Sequence, residues 1–426
     1  MFKKFGIMIL LFGLASCGRV AMHRQPTVQT RISGYESYEV SDYENQGFEK
    51  DSFKVAMILP LSGEASTFGN GLQNAAMMAL EDANNSKVQV RFYDTKSSSE
   101  GALTALSTAL NNGAEMILGP LMFKEVAAVA STVQRKNIPL ISFSASPQVL
   151  GGGVYTLGLL TKEQVERIVS YAAKKGRKKI AVVVPNTDSG LNIAKFVFDA
   201  AGENGAEVTK IAFFDPTSLE FSELVQEMIK TPNFDTVLIA ETGNRLKAIA
   251  GTFGYYDVAY PEVLFIGTSV WENTNLTKET TLFNGVYPVI SRVHQDYFNK
   301  KYKDLFGETP NTLYAYAYDG VALASALSNE KEGNLRTALE NEDGYIGING
   351  AFRLFSDGTN EHNLDIVEVS QNGLKTVDVA AKKFGPRVLP VHYTSETRPE
   401  IYGRDEQTVY QKLFGVQNNP TYFDWF

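Results

Sequence analysis

Cys17 is the only thiol of the chain, and the four histidines, His23, His294, His362 and His392, stand far from one another. None has the spacing of a metal-binding helix such as His-Glu-x-x-His, so surface histidines are the simpler reading and no metal is expected. A serine nucleophile on an elbow turn would need Gly-x-Ser-x-Gly, which does not occur. Gly151-Gly152-Gly153 lacks the spacing of a dinucleotide turn, and there is no Gly-x-x-x-x-Gly-Lys phosphate loop. The residues therefore announce no catalytic set and no cofactor, and an enzyme is not expected. Asp94 and Asp319 could face a binding cleft, although acids at strand ends and helix starts also serve as caps.

The remaining use for Cys17 lies in its surroundings. Lys3 and Lys4, an apolar stretch from Phe5 to Leu14 and the small residues Ala15 and Ser16 have the form of an export signal, residues 1–16. The apolar run is too short to cross a hydrocarbon core of about 30 Å as a helix. Leu14-Ala15-Ser16-Cys17 resembles the lipobox of bacterial lipoproteins, which implies acylation of Cys17. An ordinary cleaved signal with an incidental cysteine is the alternative, but a free thiol there has no other evident use. Gly18 follows instead of the aspartate associated with inner-membrane retention, so the resemblance favours an outer-membrane anchor facing the periplasm.

Composition fits a folded protein: 44% of residues are hydrophobic and 21% charged. Without Lys3 and Lys4, 38 of the 40 basic residues remain against 48 acids, about −10. That balance argues against nucleic acid as a partner and leaves membrane attachment to the acyl anchor. The densest basic run, Lys174-Lys175-Gly176-Arg177-Lys178-Lys179, could be a contact patch. A helix C-terminus closed by Gly176, where the dipole favours cations, is the commoner use of such a run.

Elements follow from the hydrophobic pattern. Residues 17–52 read as a polar tether. From Phe53 short apolar runs alternate with helical ones: strands over 54–59, 88–93, 115–118 and 138–143, helices over 71–83, 102–110 and 124–136. The alternation resumes with strands over 180–184, 207–214, 235–240 and 263–266 and helices over 164–175, 191–204, 221–230 and 244–253. Helices over 298–306, 314–327 and 335–341 and strands over 351–354 and 365–369 follow, and residues 380–426 read as an irregular tail. The aromatics Tyr422, Phe423, Trp425 and Phe426 either pack back or dock a partner. This pattern implies an α/β fold with two doubly wound sheets, binding ligands beyond the carboxyl ends of the strands.

Pro60-Leu61-Ser62-Gly63, Gly119-Pro120-Leu121, Ile138-Pro139-Leu140-Ile141-Ser142 and Tyr316-Ala317-Tyr318-Asp319 come in the order seen in type I periplasmic binding proteins of the leucine/isoleucine/valine type, and the chain resembles that family from Phe53 to about Val379. The resemblance implies two Rossmann-like lobes with a hinge, the N-lobe from 53–160 plus 284–328 and the C-lobe from 161–283 plus 344–379. Glu125-Val126, Ile141-Ser142-Phe143-Ser144 and Gly152-Gly153-Val154-Tyr155 further resemble the penicillin-binding-protein activator lipoproteins. Their best-known members carry a helical-repeat domain where this chain has a short polar stretch. The partner implied is then a peptidoglycan synthase; the alternative is the permease of an ABC importer, with a small-molecule ligand.

In the amino-acid binders of the family the fourth-strand loop reads Ser-Pro-Gly-Ala-Thr. Here it reads Ser142-Phe143-Ser144-Ala145-Ser146, so Ser144, Ala145 and Ser146 fall in the cleft together with Ser62. Leu121 and Met122 stand where a serine is usual, and Ser189 stands in place of a tyrosine. Ser269 occupies the position of the ammonium-binding acid, for which Glu241 is a candidate substitute. A buried ammonium without its acid costs several kcal/mol, so a neutral or anionic ligand, or none, is expected over a zwitterion.

Overall fold

The computed structural model describes residues 48–330, 334–386 and 398–415, and Cys17, His23, His392 and the aromatics at 422–426 lie outside these. The first sheet is built from β1 (Phe53–Leu59), β2 (Val88–Asp94), β3 (Met116–Leu118), β4 (Leu140–Ser142) and β5 (Val154–Thr156), all parallel, in the order β2-β1-β3-β4-β5. Between them run α1 (Ser66–Ala83), α2 (Ser99–Asn111) and α3 (Phe123–Lys136). β1 is apolar on both faces because both are covered. Val55, Met57 and Leu59 enter one core and Ala56 and Ile58 another. The expected helix at 71–83 begins earlier, at Ser66.

The second sheet continues with α4 (Thr161–Lys174), β6 (Lys179–Pro185), α5 (Asp188–Glu203), β7 (Glu207–Phe214), α6 (Ser222–Ile229), β8 (Thr236–Ile239), α7 (Gly243–Tyr255), β9 (Leu264–Gly267) and β10 (Val286–Ile290). Its central order, β10-β9-β8-β6-β7, repeats that of the first sheet. α8 (Gln295–Phe306) and α9 (Tyr314–Leu327) then return to the first lobe. α9 is apolar nearly all round and therefore lies inside, against α1. A Cβ on Gly71 would stand 2.0 Å from Cζ of Tyr314, so the two helices meet where α1 has no side chain. After α10 (Leu335–Leu339) come β11 (Tyr345–Gly347), β12 (Gly350–Leu354) and β13 (Asn360–His362), a small antiparallel sheet. β14 (Leu364–Ser370) and β15 (Gly373–Asp378) extend the second sheet on one side, and β16 (Glu400–Tyr402) pairs with β7 on the other, followed by α11 (Glu406–Phe414).

The sheets draw the lobes differently from the sequence at three places. Residues 284–290, expected in the N-lobe, supply β10, which pairs with β9 and β14 in the second sheet. Pro288 inside Val-Tyr-Pro-Val-Ile hides this strand from pattern reading. Residues 345–362, expected in the C-lobe, put Ile348, Phe352 and Leu354 into the N-lobe core beside Tyr314 and Leu323. The tail is irregular at 380–386 but not at 400–414, where β16 and α11 form and Val409 and Leu413 enter the C-lobe core. The chain thus crosses between lobes at 157–160, at 291–294 and at Asn363.

Candidate functional site

Both sheets have the strand order 2-1-3-4-5, whose reversal leaves a crevice beyond the first and third strands. In the N-lobe this is where β1 and β3 end, at 60–63 and 119–122; in the C-lobe it is where β6 and β8 end, at 186–189 and 240–243. The expected cleft residues lie in these loops and in the loops after β4 and β9.

On the N-lobe side, Ser62 is exposed, but its hydroxyl is committed. It donates to Asp94 Oδ2 at 2.6 Å while the Ser62 amide donates to Oδ1 at 3.1 Å. Lys96 N adds a third bond to Asp94 at 2.7 Å, and Ser97 Oγ donates to Ser62 O at 2.7 Å, so the two loops brace each other. Leu121 is half-buried against the core, and Met122, next to it, is 45% exposed. Behind them Glu125 is buried and accepts from Thr95 Oγ1 at 2.6 Å; burial pushes its carboxyl above the usual range. Ser144 is buried, its hydroxyl accepting from Ser146 N at 3.3 Å. Ala145 is exposed and Ser146 half-buried.

On the C-lobe side, Ser189 is exposed in the first turn of α5, a helix capped by Thr187, whose Oγ1 accepts from Gly190 N at 3.1 Å. Glu241 is not a free acid. Its Oε2 accepts from Arg245 Nε at 3.0 Å and its Oε1 from Thr242 N at 2.9 Å. Ser269 donates twice to Gln164 Oε1, from N at 2.9 Å and from Oγ at 2.8 Å, and Gln164 Nε2 donates in turn to Leu160 O at 3.2 Å. Ser269 is thereby tied to the first crossing segment. Among the described residues no hydrogen bond or ion pair joins the expected N-lobe residues to the expected C-lobe ones.

Arg245 is the group that sequence reasoning missed. It sits in the first turn of α7, where the helix dipole disfavours a cation and favours an anion. Beyond the Glu241 bond its guanidinium makes no other ion pair among the described residues. The Glu241/Arg245 spacing of four was the available signal. No group of three or more possible metal ligands occurs among the described residues, and no described helix is long and apolar enough to cross a membrane. The basic run is mostly structural. Gly176 ends α4 at φ +83°, Arg177 donates to the carbonyls of Pro261 (2.6 Å) and Glu262 (2.9 Å), and Lys178 donates to Asn204 O at 2.7 Å.

A profile of the family described as "Periplasmic binding protein" matches residues 52–374. The chain belongs to that family. An uncharacterized protein of Rickettsia prowazekii is 20% identical over 342 residues, 76% of this chain and 88% of its own length. Penicillin-binding protein activator LpoA of Glaesserella parasuis is 29% identical over 143 residues, 33% of this chain, and the match spans only 24% of the activator. Among solved structures, the leucine-, isoleucine-, valine-, threonine- and alanine-binding protein of Brucella ovis, in its closed conformation, matches with TM-score 0.60 at 18% identity, over 78% of this chain and 95% of that one. The expected α/β fold of two doubly wound lobes is the fold of these proteins.

Proposed function

We propose that this member of the periplasmic binding protein family is a lipid-anchored regulator of peptidoglycan synthesis that acts through protein contacts, as a penicillin-binding protein activator. The observation that carries the reading is the Arg245–Glu241 bond at 3.0 Å, which occupies the acid expected to hold a ligand ammonium. Ser62, turned onto Asp94, supports it. Exposed Met122 and Val270 near the strand ends add apolar surface suited to a protein partner. The similarity to the activators supports the same class over a third of the chain.

The test is paired. The exported chain is assayed against the periplasmic part of a bifunctional penicillin-binding protein, by pull-down and by glycan polymerisation rate, and by calorimetry against an amino-acid panel. Association with increased polymerisation and no amino-acid heat is expected. Micromolar leucine binding without association would reverse the ranking.

The second reading, a substrate-binding lipoprotein of an ABC importer, is favoured by Arg245 itself. A guanidinium at a helix N-terminus suits the carboxylate of a small ligand. Small monocarboxylates without an amine belong in the same calorimetric panel. Acylation of Cys17 is part of either reading, and mass spectrometry of the mature N-terminal peptide tests it.

A further inference from the structure

Two of the three crossing segments are held by a single carboxylate. Glu163, in the first turn of α4, accepts from Leu160 N through Oε1 at 2.7 Å and from His362 N through Oε2 at 2.6 Å. Its Oε1 also lies 3.3 Å from Nδ1 of the His362 ring. Beside it, Asn360 Nδ2 donates to Thr156 O and Gly158 O, both at 2.9 Å. Glu163 and His362 are 8% and 5% exposed, so these bonds are largely shielded from water. The first crossing segment, the third one and the start of the C-lobe helix α4 therefore meet at one buried acid–imidazole pair.

The titratable and charged groups around this pair come from α9 of the N-lobe, from Glu272, and from the rim of the adjoining cavity, where Lys162, Glu166, Arg167 and Asp378 stand. Asp319 is buried and accepts from Ile348 N at 2.6 Å and Asn349 N at 3.2 Å, close enough to His362 for the two charges to interact. Tyr316, also buried, accepts from Leu159 N at 3.3 Å and lies within the field of Glu163, Asp319 and Glu272. Burial holds its phenol neutral well above the usual tyrosine range. The Phe352 ring, 6.1 Å from the imidazole, closes the apolar side.

We propose that Glu163 and His362 form a pH-responsive clasp on the hinge, tight when the imidazole is protonated and slack when it is neutral. The argument is one of charge. A protonated His362 donates Nδ1–H to the Glu163 carboxylate as a charge-assisted bond. Neutral His362 keeps at most an ordinary hydrogen bond and leaves Glu163 and Asp319 as two buried acids with nothing positive between them. Burial raises the Asp319 carboxyl to about 7, and its charged form, like that of Glu163, is favoured by a positive His362 and loses that support beside a neutral one. Rising pH thus loosens the grip on the crossing segments, whichever ligand or partner the lobes serve.

The experiment follows the whole chain from about pH 5.5 to 8.5 at constant ionic strength. It measures amide exchange of 156–164 and 358–364, corrected for intrinsic rates, and the radius of gyration by small-angle scattering. Opening of the clasp is expected to rise about fivefold, the gap between a charge-assisted and a neutral hydrogen bond, with an increase in radius. His362→Gln still donates to Glu163 but does not titrate, and is expected to abolish the response; Asp319→Asn is expected to halve it or more. Corrected exchange and radius that stay flat in the unmodified chain overturn the proposal, as does a His362→Gln protein that responds fully. Should His362→Gln fail to fold by circular dichroism, the unmodified titration alone still decides.

Discussion

At the C-lobe end of the crevice both Glu241 oxygens already have donors, from Arg245 and from the Thr242 amide. Arg245→Leu releases one of them. Because Glu241 is largely buried and keeps only the Thr242 amide, the cost in stability is expected to be about 1–3 kcal/mol. The freed carboxylate is expected to raise affinity for amino acids at least tenfold by calorimetry, and an unchanged affinity would remove Glu241 from the list of cleft groups. Asp319 makes a separate prediction about stability. Its carboxyl, normally near 3.8, is raised to about 7 by burial. A raised carboxyl pKa means the folded chain holds a proton that the unfolded chain has released. The stability it contributes is therefore complete below about pH 4 and lost as pH climbs through 7. Urea midpoints across that interval are expected to fall with pH, and Asp319→Asn to flatten the slope.

Among the elements, β16 and α11 show how unequal the two halves of an ion pair can be. Lys210 on β7 is fully buried and donates to Glu400 Oε2 at 2.6 Å, Tyr402 OH at 3.0 Å and Thr231 Oγ1 at 3.3 Å. Glu400 itself is 46% exposed. Glu400→Ala strands a buried ammonium, so a loss of about 2–4 kcal/mol and rapid proteolysis within 398–415 are expected. Lys210→Met leaves only a hydrated carboxylate behind and is expected to cost under about 1 kcal/mol. Chemical denaturation of the two variants compares them directly. None of this was visible in the sequence, where Glu-Ile-Tyr is too short and polar to read as a strand; it pairs only because β7 offers an edge. The parallel strands of both sheets were legible, since runs such as Ile180–Val184 are apolar on both faces. β10 was not, because proline interrupts it. At the strand ends, the loops that carry Ser62, Ser144 and Glu241 could be read, but not that neighbouring groups had already taken their polar atoms.

For the molecule as a whole, long-range connectivity set the limit of sequence reading. Which lobe owns 345–362 is decided by Ile348, Phe352 and Leu354 finding the N-lobe core, a contact between segments far apart in the chain. Gly71 marks the same junction from the other side. Gly71→Ala is expected to cost about 1–3 kcal/mol and lower the melting temperature by a few degrees, because the added methyl meets the Tyr314 ring.

The late position of α9 has a bearing on biogenesis. A polypeptide emerging from its N-terminus completes the strands of the first sheet by Thr156, yet the helix that shields one face of that sheet begins only at Tyr314. Five of the eight strands of the second sheet are synthesised in between. The first half must then wait, that face covered only by α1, until most of the polypeptide has emerged, which makes it a natural client for a holding chaperone. A version stopped after Ile290 is expected to bind a hydrophobic dye strongly and to be captured by such a chaperone, while one extended through Leu327 is not.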